Sequence, residues 1–261
     1  MTIKVEISGP VTTIILDRAD KRNAVDRRMA AKLRAAILDF EHDDSQRAAV
    51  LWGDHGVFCA GADLSAMSDP DRIVEIEKDG GGSGPMGPSR LELSKPLIAA
   101  ISGYAVAGGL ELALFADMRV AEEDSKFGVF CRRWGVPLID GGTVRLPRII
   151  GMGRALDLIL TGREINSQEA LSFGLINRIV ERGKSREAAE EIAQQLARFP
   201  QMCMLADRQS AYAQNGMTFA EAIQQEGKNG ADIVAKEGAF GAARFVDGLG
   251  RHGSFDDFSK K

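Results

Sequence analysis

One stretch of the sequence joins a buried strand, a glycine turn and an apolar helix, and it reads ISGYAVAGGLELA over residues 101–113. The turn ends in Gly108-Gly109, and the apolar run after it predicts a buried helix. A turn of this kind leaves backbone N–H groups free at the positive end of the helix dipole, where they can bind an anion. Glu111 follows Gly108 by one helical turn, and a carboxylate in an apolar helix costs free energy unless something uses it. The stretch therefore predicts an anion-binding turn beside a functional carboxylate.

A second segment, GVFCAGADL at residues 56–64, has the same character, because small residues and a glycine turn follow a short buried strand predicted at Ala48–Trp52. Two sets of free amides can together stabilise an oxyanion, which enolate and tetrahedral chemistry both require. Close packing of small residues explains either segment alone equally well. The pair of segments, taken with Glu111, favours chemistry over packing.

Strands and helices alternate along much of the chain, which predicts an α/β fold with parallel strand pairing. The predicted elements are a hairpin of Ile3–Ile7 and Val11–Leu16, strands at Leu97–Ser102 and Met118–Ala121, and helices at Val25–Phe40, Leu110–Ala116, Arg154–Leu160, Ser167–Phe173 and Ser185–Phe199. Ser185 is the predicted cap of the last helix. Because the composition becomes helical and polar there, we divide the chain into a core, residues 1–184, and a helical region, residues 185–261.

The composition limits the classes of protein to consider. The chain has 261 residues, of which 44% are hydrophobic, enough for one sizeable core. Its net charge of −4 argues against nucleic acid as a partner. Three widely spaced cysteines predict reduced thiols. The opening MTIKVEISG predicts no secretory signal, and no apolar run is long enough to predict a membrane span. We expect a soluble cytoplasmic protein with no membrane partner.

The Gly80–Pro88 stretch is the one low-complexity segment and predicts a flexible loop. It contains GSGPMG, which matches the GxGxxG pattern of nicotinamide-dependent enzymes, but no strand precedes it, so we attribute the match to chance. The three histidines, His42, His55 and His252, lack ligand spacing, and the sequence has no CxxC. We therefore predict no metal site.

Seven short motifs resemble successive motifs of the enoyl-CoA hydratase/isomerase (crotonase) superfamily, in the same order. They are DRADKRNA at 17–24, FCAGADL at 58–64, GYAVAGGLELAL at 103–114, KFG at 126–128, GVP at 135–137, GGTVRLP at 141–147 and TGR at 161–163. The resemblance runs from about residue 3 to residue 180 and continues more weakly to the C-terminus. It implies an α/β fold with a spiral core of ββα units and a C-terminal helical trimerisation region.

The resemblance also implies a substrate, an acyl-CoA thioester, and coenzyme A is then part of the substrate and no separate cofactor is expected. The backbone amides of Ala62 and Gly108 match the oxyanion hole for the thioester carbonyl. The residues that match the coenzyme A walls are Lys21, Arg22, Ala24, Ala60, Gly61, Asp63 and Leu64. Trimers of this family often pair into hexamers. A homotrimer or hexamer is expected here, which agrees with the apolar tail residues Ile192, Leu196, Phe199, Phe219 and Ile223.

Hydratases of this family use two glutamates, and Glu111 matches the first. The second is expected four residues before Gly135, where this sequence has Cys131, which we predict to be a buried wall of the substrate site. Asp140 matches an active-site aspartate of the dienoyl-CoA isomerases. The alternative is that Asp140 caps the helix predicted near Gly141.

We therefore predict that Glu111, Asp140, Gly108 and Ala62 are catalytic. The expected activity is hydration of 2-enoyl-CoA to 3-hydroxyacyl-CoA through a stabilised enolate. Isomerisation of enoyl- or dienoyl-CoA, or other enolate chemistry, is the alternative, because Cys131 replaces the second glutamate. A protein that binds coenzyme A without catalysis is a further class, and the presence of Glu111 argues against it. The Gly80–Pro88 loop is interpreted as a lid or acyl-pocket wall, or else as a linker.

Overall fold

The computed structural model describes residues 2–250, and the predicted hairpin forms one edge of its larger sheet. Nine strands lie among these residues: β1 (Ile3–Ser8), β2 (Val11–Leu16), β3 (Ala48–Gly53), β4 (Leu97–Ile101), β5 (Tyr104–Val106), β6 (Met118–Glu122), β7 (Lys126–Gly128), β8 (Ile165–Asn166) and β9 (Arg178–Val180). The larger sheet has the order β1-β2-β3-β4-β6-β9, and the smaller has β5-β7-β8. Every pair of the larger sheet after β1–β2 is parallel. The predicted α/β class is confirmed.

Nine α-helices lie in the described part of the chain. Those before residue 199 lie close to helices predicted from the sequence, whereas the three after it lie in a region predicted only to be helical. The nine helices are α1 (Arg27–His42), α2 (Gly108–Phe115), α3 (Gly142–Ile150), α4 (Met152–Thr161), α5 (Ser167–Phe173), α6 (Ser185–Arg198), α7 (Gln201–Ala213), α8 (Phe219–Ile233) and α9 (Ala239–Val246). In α1, the side chain of Asp26 caps the helix by accepting the N–H of Met29 (3.0 Å). Its apolar stripe, which includes Leu33 and Ile37, is fully buried.

The core repeats a strand-strand-helix unit in which the first strand joins the larger sheet and the second joins the smaller. In one unit β4 leads through Gly103 into β5 and then α2; in the next, β6 leads into β7 and a 3₁₀ helix at Phe130–Trp134. Gly103 has φ +53°, and a Cβ there would lie 2.2 Å from the Gly56 carbonyl oxygen. Glycine is therefore required at this corner. The repeat is the predicted spiral core of ββα units.

Parallel strands that are covered on both faces hold this core together. Every residue of β4 is buried, as are the first four of β3. Such strands appear in sequence as continuous apolar runs rather than as alternating patterns. The turns that follow β3 and β4 at their carboxyl ends contain the two glycine segments identified from the sequence.

The described residues divide into two compact units between Gln194 and Gln195, within α6, whereas the sequence placed the boundary at residue 184. Ser185 is the first residue of α6, and its buried hydroxyl donates to Glu122 Oε1 (2.8 Å), so its side chain also contacts β6. Helices α7 to α9 form the second unit. His252, one of the three histidines considered for metal binding, lies outside the described residues, as does the end of the predicted helical region.

None of the helices within residues 2–250 combines the length and the apolar character that a membrane span requires.

Candidate active site

The four residues predicted to be catalytic line one cavity of about 480 Å³ in the first unit. Ala62 comes from the segment after β3, and Gly108 and Glu111 come from the first turn of α2. Asp140 comes from the turn that precedes α3. These residues are far apart in sequence, and the ββα spiral brings their backbone turns to the same place.

The two predicted amide donors are free to bind an anion. Gly108 is the first residue of α2, where an N–H has no partner within the helix. The neighbours of Ala62 are paired, because Val25 N–H donates to Gly61 O (2.8 Å) and Asp63 N–H to Val25 O (2.8 Å). Among the described residues, neither the Ala62 nor the Gly108 N–H has a hydrogen-bond acceptor. Both residues line the cavity.

Glycines allow the two donor segments to pack backbone against backbone. A Cβ on Gly109 would lie 2.1 Å from Cys59 O, and one on Gly61, at φ +97°, would lie 3.1 Å from the Gly108 nitrogen. The residue before α2, Ala107, has φ +53° and ψ −128°, a conformation that is rare for alanine. Such strain is often found at functional turns. Here it lies at the turn that presents the Gly108 amide.

Glu111 is a buried carboxyl, only 3% exposed, with one oxygen fixed by the backbone. Its Oε1 accepts the N–H groups of Asp140 (2.9 Å) and Gly142 (2.8 Å). Burial, and after it the charge of Asp140, raises the pKa of Glu111 to about 7, although the two amides oppose the rise. Within the described residues, its other oxygen accepts no hydrogen bond, so it is available to a ligand in the cavity.

Asp140 faces the same cavity, and the alternative that it caps its own helix is wrong. The N-cap position of α3 is Gly141, which has no side chain, and the first N–H of the helix, that of Gly142, donates to Glu111 Oε1. Asp140 Oδ1 instead accepts the Met86 N–H (2.8 Å) and the Ser89 hydroxyl. Burial raises the pKa of the Asp140 carboxyl, and the bonds from Ser89 and Met86 oppose the rise. Two carboxyls with raised pKa values therefore share one cavity, which is typical of acid–base sites.

Cys131 lies in the wall of the cavity, within the 3₁₀ helix. Burial is the main cause of its raised pKa, and the negative charge of Glu111 adds to it. Cys131 is therefore held as a neutral thiol, and not as a thiolate nucleophile.

The residues that match coenzyme A walls divide into two groups. Arg22, Ala60 and Leu64 line the cavity, whereas Lys21, Ala24, Gly61 and Asp63 do not. The Lys21 ammonium lies 3.2 Å from Ser65 Oγ at the surface. The Asp63 carboxylate is buried and pairs with two guanidinium groups, those of Arg18 (2.9 Å) and Arg72 (3.1 Å). Its side chain therefore holds the segment in place and does not form part of the cavity wall.

The Gly80–Pro88 loop contributes a wall of the cavity, which agrees with the acyl-pocket interpretation and not with a linker. Pro85 and Met86 line the cavity, and the Met86 side chain is 1% exposed. A Cβ on Gly108 would lie 2.7 Å from Met86 Sδ, so this side chain lies against the amide donor. A Cβ on Gly87 would lie 2.5 Å from the Ala30 carbonyl oxygen, so the loop also packs on α1.

Sequence reasoning missed several residues of the site. The aromatic side chains of Tyr104, Phe130 and Trp134 line the cavity, and Ser89 bonds Asp140. The KFG and GVP motifs bracket Phe130 and Trp134, which is the one signal that pointed towards them. No local pattern distinguishes Ser89 from a surface serine.

Comparison with known proteins finds one family throughout. A family model described as enoyl-CoA hydratase/isomerase matches residues 6–249. A carnitinyl-CoA dehydratase from Salmonella typhi is 37% identical over 191 residues, which cover 72% of each chain. The structure of an enoyl-CoA hydratase from Mycobacterium tuberculosis is similar with a TM-score of 0.87 and 31% identity, covering 94% of this chain and 96% of its own. One from Bacillus anthracis has a TM-score of 0.84 and 28% identity, covering 95% and 96%.

Proposed function

The chain belongs to the enoyl-CoA hydratase/isomerase family, and from this we propose that it catalyses the reversible addition of water to a 2-enoyl-CoA, which gives a 3-hydroxyacyl-CoA. One observation carries the proposal: the amides of Ala62 and Gly108, which have no acceptor among the described residues, line the same cavity as the carboxyls of Glu111 and Asp140. Relatives named as enoyl-CoA hydratases and carnitinyl-CoA dehydratases support the same reaction type in its two directions.

The amides act on the thioester carbonyl. As water adds to C3, negative charge moves onto the carbonyl oxygen and the substrate becomes an enolate. The Ala62 and Gly108 N–H groups donate to this oxygen, and they stabilise the enolate more strongly than the ground-state carbonyl. Because both donors belong to packed backbone, they need no reorganisation during the reaction.

The two carboxyls together carry one proton. In the proposed active form Glu111, whose pKa is raised to about 7, holds the proton and Asp140 is ionised. During hydration Asp140 takes a proton from water as the C3–O bond forms, and Glu111 gives its proton to C2. Dehydration reverses both transfers. Net protonation of the pair is unchanged, but the proton now lies on Asp140. Its transfer to Glu111, across the cavity that both carboxyls line, restores the starting form for another turnover.

The acyl-CoA thioester is the only ligand that this chemistry requires, and we propose no separate cofactor. Arg22 lines the cavity and Lys21 lies beside that wall in sequence. Their cationic groups are suited to the phosphates of coenzyme A, to which such side chains form charge-assisted hydrogen bonds.

Double-bond isomerisation is the second candidate, and Cys131 is the observation that favours it. The thiol stands where hydratases of the family carry their second glutamate, and its raised pKa makes it a poor proton carrier. An isomerase needs a single carboxyl that moves one proton between two carbons, and Glu111 alone can do this.

A panel of 2-enoyl, 3-enoyl and dienoyl thioesters separates the two candidates. The purified protein is incubated with each thioester, loss of the conjugated absorbance is followed, and the products are identified by mass spectrometry. The proposal expects a product heavier by one water from the 2-enoyl thioester. Products of unchanged mass from the 3-enoyl or dienoyl thioesters, without any hydrated product, would support isomerisation instead.

The rate of hydration is expected to show a bell-shaped dependence on pH. A plot of kcat/KM against pH reports the free enzyme, and the active form carries one proton on the carboxyl pair. Above Glu111's pKa of about 7 that proton is lost, so the rate falls by about tenfold per pH unit. Towards low pH Asp140 gains a proton and the rate falls again. Steady-state rates from pH 5 to pH 9 check this; a rate that stays constant above pH 7 contradicts the assignment of Glu111.

We also propose that the chain assembles as a homotrimer or hexamer. Large apolar side chains in the second unit support this, because Phe219 is 82% exposed and Phe240 75%. Ile192, by contrast, is buried within its own chain and offers no surface to a partner. Light scattering at micromolar concentration is expected to give the mass of three or six chains, and the mass of one chain would rule the assembly out.

A further inference from the structure

Ser89 is a fully buried polar residue that the mechanism above does not use. Its hydroxyl donates to Asp140 Oδ1, the same oxygen that accepts the Met86 N–H. Two donors on one oxygen fix the orientation of a carboxylate. The other oxygen, which accepts no hydrogen bond from the described residues, is then left for the cavity that Asp140 lines.

The surrounding backbone is shaped to allow this contact. Gly84 has φ +99°, and a Cβ there would lie 2.0 Å from Ser89 Oγ and 3.1 Å from Asp140 Oδ1. Arg90, which follows Ser89 in the sequence, donates from Nη2 to Ile139 O (2.7 Å) and from Nη1 to Gly80 O (2.7 Å). Hydrogen bonds therefore join residues 84–90 to the turn that carries Asp140 on both sides of Ser89, from Met86 before it and from Arg90 after it.

We propose that Ser89 is a positioning residue, whose hydroxyl orients the Asp140 carboxylate and stabilises its ionised form for proton exchange with the substrate. The inference rests on the proposed function, in which Asp140 is the base of hydration. The charged groups that act on Asp140 are Glu111 from α2, Arg90 from the loop and Arg145 from α3. Ser89 is the one side chain among the described residues that donates a hydrogen bond to the carboxylate. Loss of a donor to an ionised carboxylate raises its pKa.

A double-mutant cycle tests this coupling. Ser89→Ala is expected to lower kcat/KM for hydration about tenfold at neutral pH, since a hydrogen bond to a charged group is lost. It is also expected to move the acidic limb of the pH profile to higher pH. Asp140→Asn alone is expected to cost ~10²-fold. Adding Ser89→Ala to Asp140→Asn is expected to cost nothing more, because Ser89 acts through Asp140.

A matched control is Ser125→Ala, which removes a fully buried hydroxyl that donates to Ile101 O (3.2 Å) and does not line the cavity. It is expected to leave the pH profile in place. If the losses from Ser89→Ala and Asp140→Asn multiply, or if Ser125→Ala moves the profile equally, the positioning role is overturned. Ser89→Cys, which keeps the size but donates weakly, is the second variant should the alanine protein not fold, and the same shift is expected of it.

A measurement without turnover separates this inference from the proposed function. Infrared spectra over a pH range report the protonated carboxyl band of Asp140, identified by its loss in Asp140→Asn. Ser89→Ala is expected to shift the titration of this band to higher pH even if no thioester is hydrated. An unchanged titration overturns the Ser89 inference. Absence of hydration by the parent protein, with the shift observed, overturns the proposed function alone.

Discussion

Replacing Glu111 with glutamine is expected to lower turnover by roughly 10³-fold or more, since the carboxyl that exchanges the proton with C2 is lost. The glutamine oxygen can still accept the N–H groups of Asp140 and Gly142, which bond Glu111 Oε1 at 2.9 and 2.8 Å. The turn that carries Asp140 is therefore expected to keep its position. Single-turnover rates with a 2-enoyl thioester measure the loss in the chemical step directly.

Glu122 provides the matched control for this substitution. It is also a buried glutamate, but its carboxylate accepts the Ser185 hydroxyl (2.8 Å) and does not line the cavity. Glu122→Gln is expected to change the rate of hydration little. If Glu111→Gln keeps more than about a tenth of the parent rate, far above the loss expected for a general acid, Glu111 is not the proton carrier.

Gly108→Pro is expected to lower kcat by roughly 10²-fold or more, because it removes one of the two N–H donors to the enolate oxygen. Proline is tolerated at the first position of a helix, where its missing N–H has no helical partner. Helix α2 is therefore expected to remain folded, and circular dichroism checks this. The loss is expected in kcat more than in KM, because the amide contributes most in the transition state.

Gly108→Ala, which adds a side chain but keeps the amide N–H, separates the steric effect of the substitution from the loss of the donor. A Cβ at this position would lie 2.7 Å from Met86 Sδ, so both substitutions disturb that side chain. Each is therefore also made together with Met86→Ala, which removes the clash. In that background alanine is expected to restore the rate and proline is not. Equal rates for the two would show that the Gly108 amide does not stabilise the enolate.

The sequence alone was enough to predict five strands of the larger sheet, the helices before residue 199 and the local parts of the site, but not the short strands of the smaller sheet. The helical spacing of apolar residues in α1 and the apolar run of β4 reflect burial, and each pattern is visible within one short stretch of sequence. Gly108-Gly109 and Glu111 lie within one helical turn, so their proximity needs no knowledge of the fold. The family motifs added Ala62 and Asp140, because their order along the chain is specific even where each motif is short.

Tertiary structure decided how these parts face one another. The hydrogen bond from the Asp140 N–H to Glu111 joins residues 29 positions apart in sequence, and the one from Ser89 to Asp140 joins residues 51 positions apart. Asp63 belongs to the FCAGADL motif, but its carboxylate pairs with Arg18 and Arg72 and does not line the cavity. The two cations offset the free-energy cost of burying its charge. A pKa of about 7 for Glu111 likewise depends on burial and on Asp140, not on neighbours in sequence. Local patterns record which residues prefer burial or a turn, whereas the pairing of buried polar groups is set by long-range packing, which no short stretch of sequence contains.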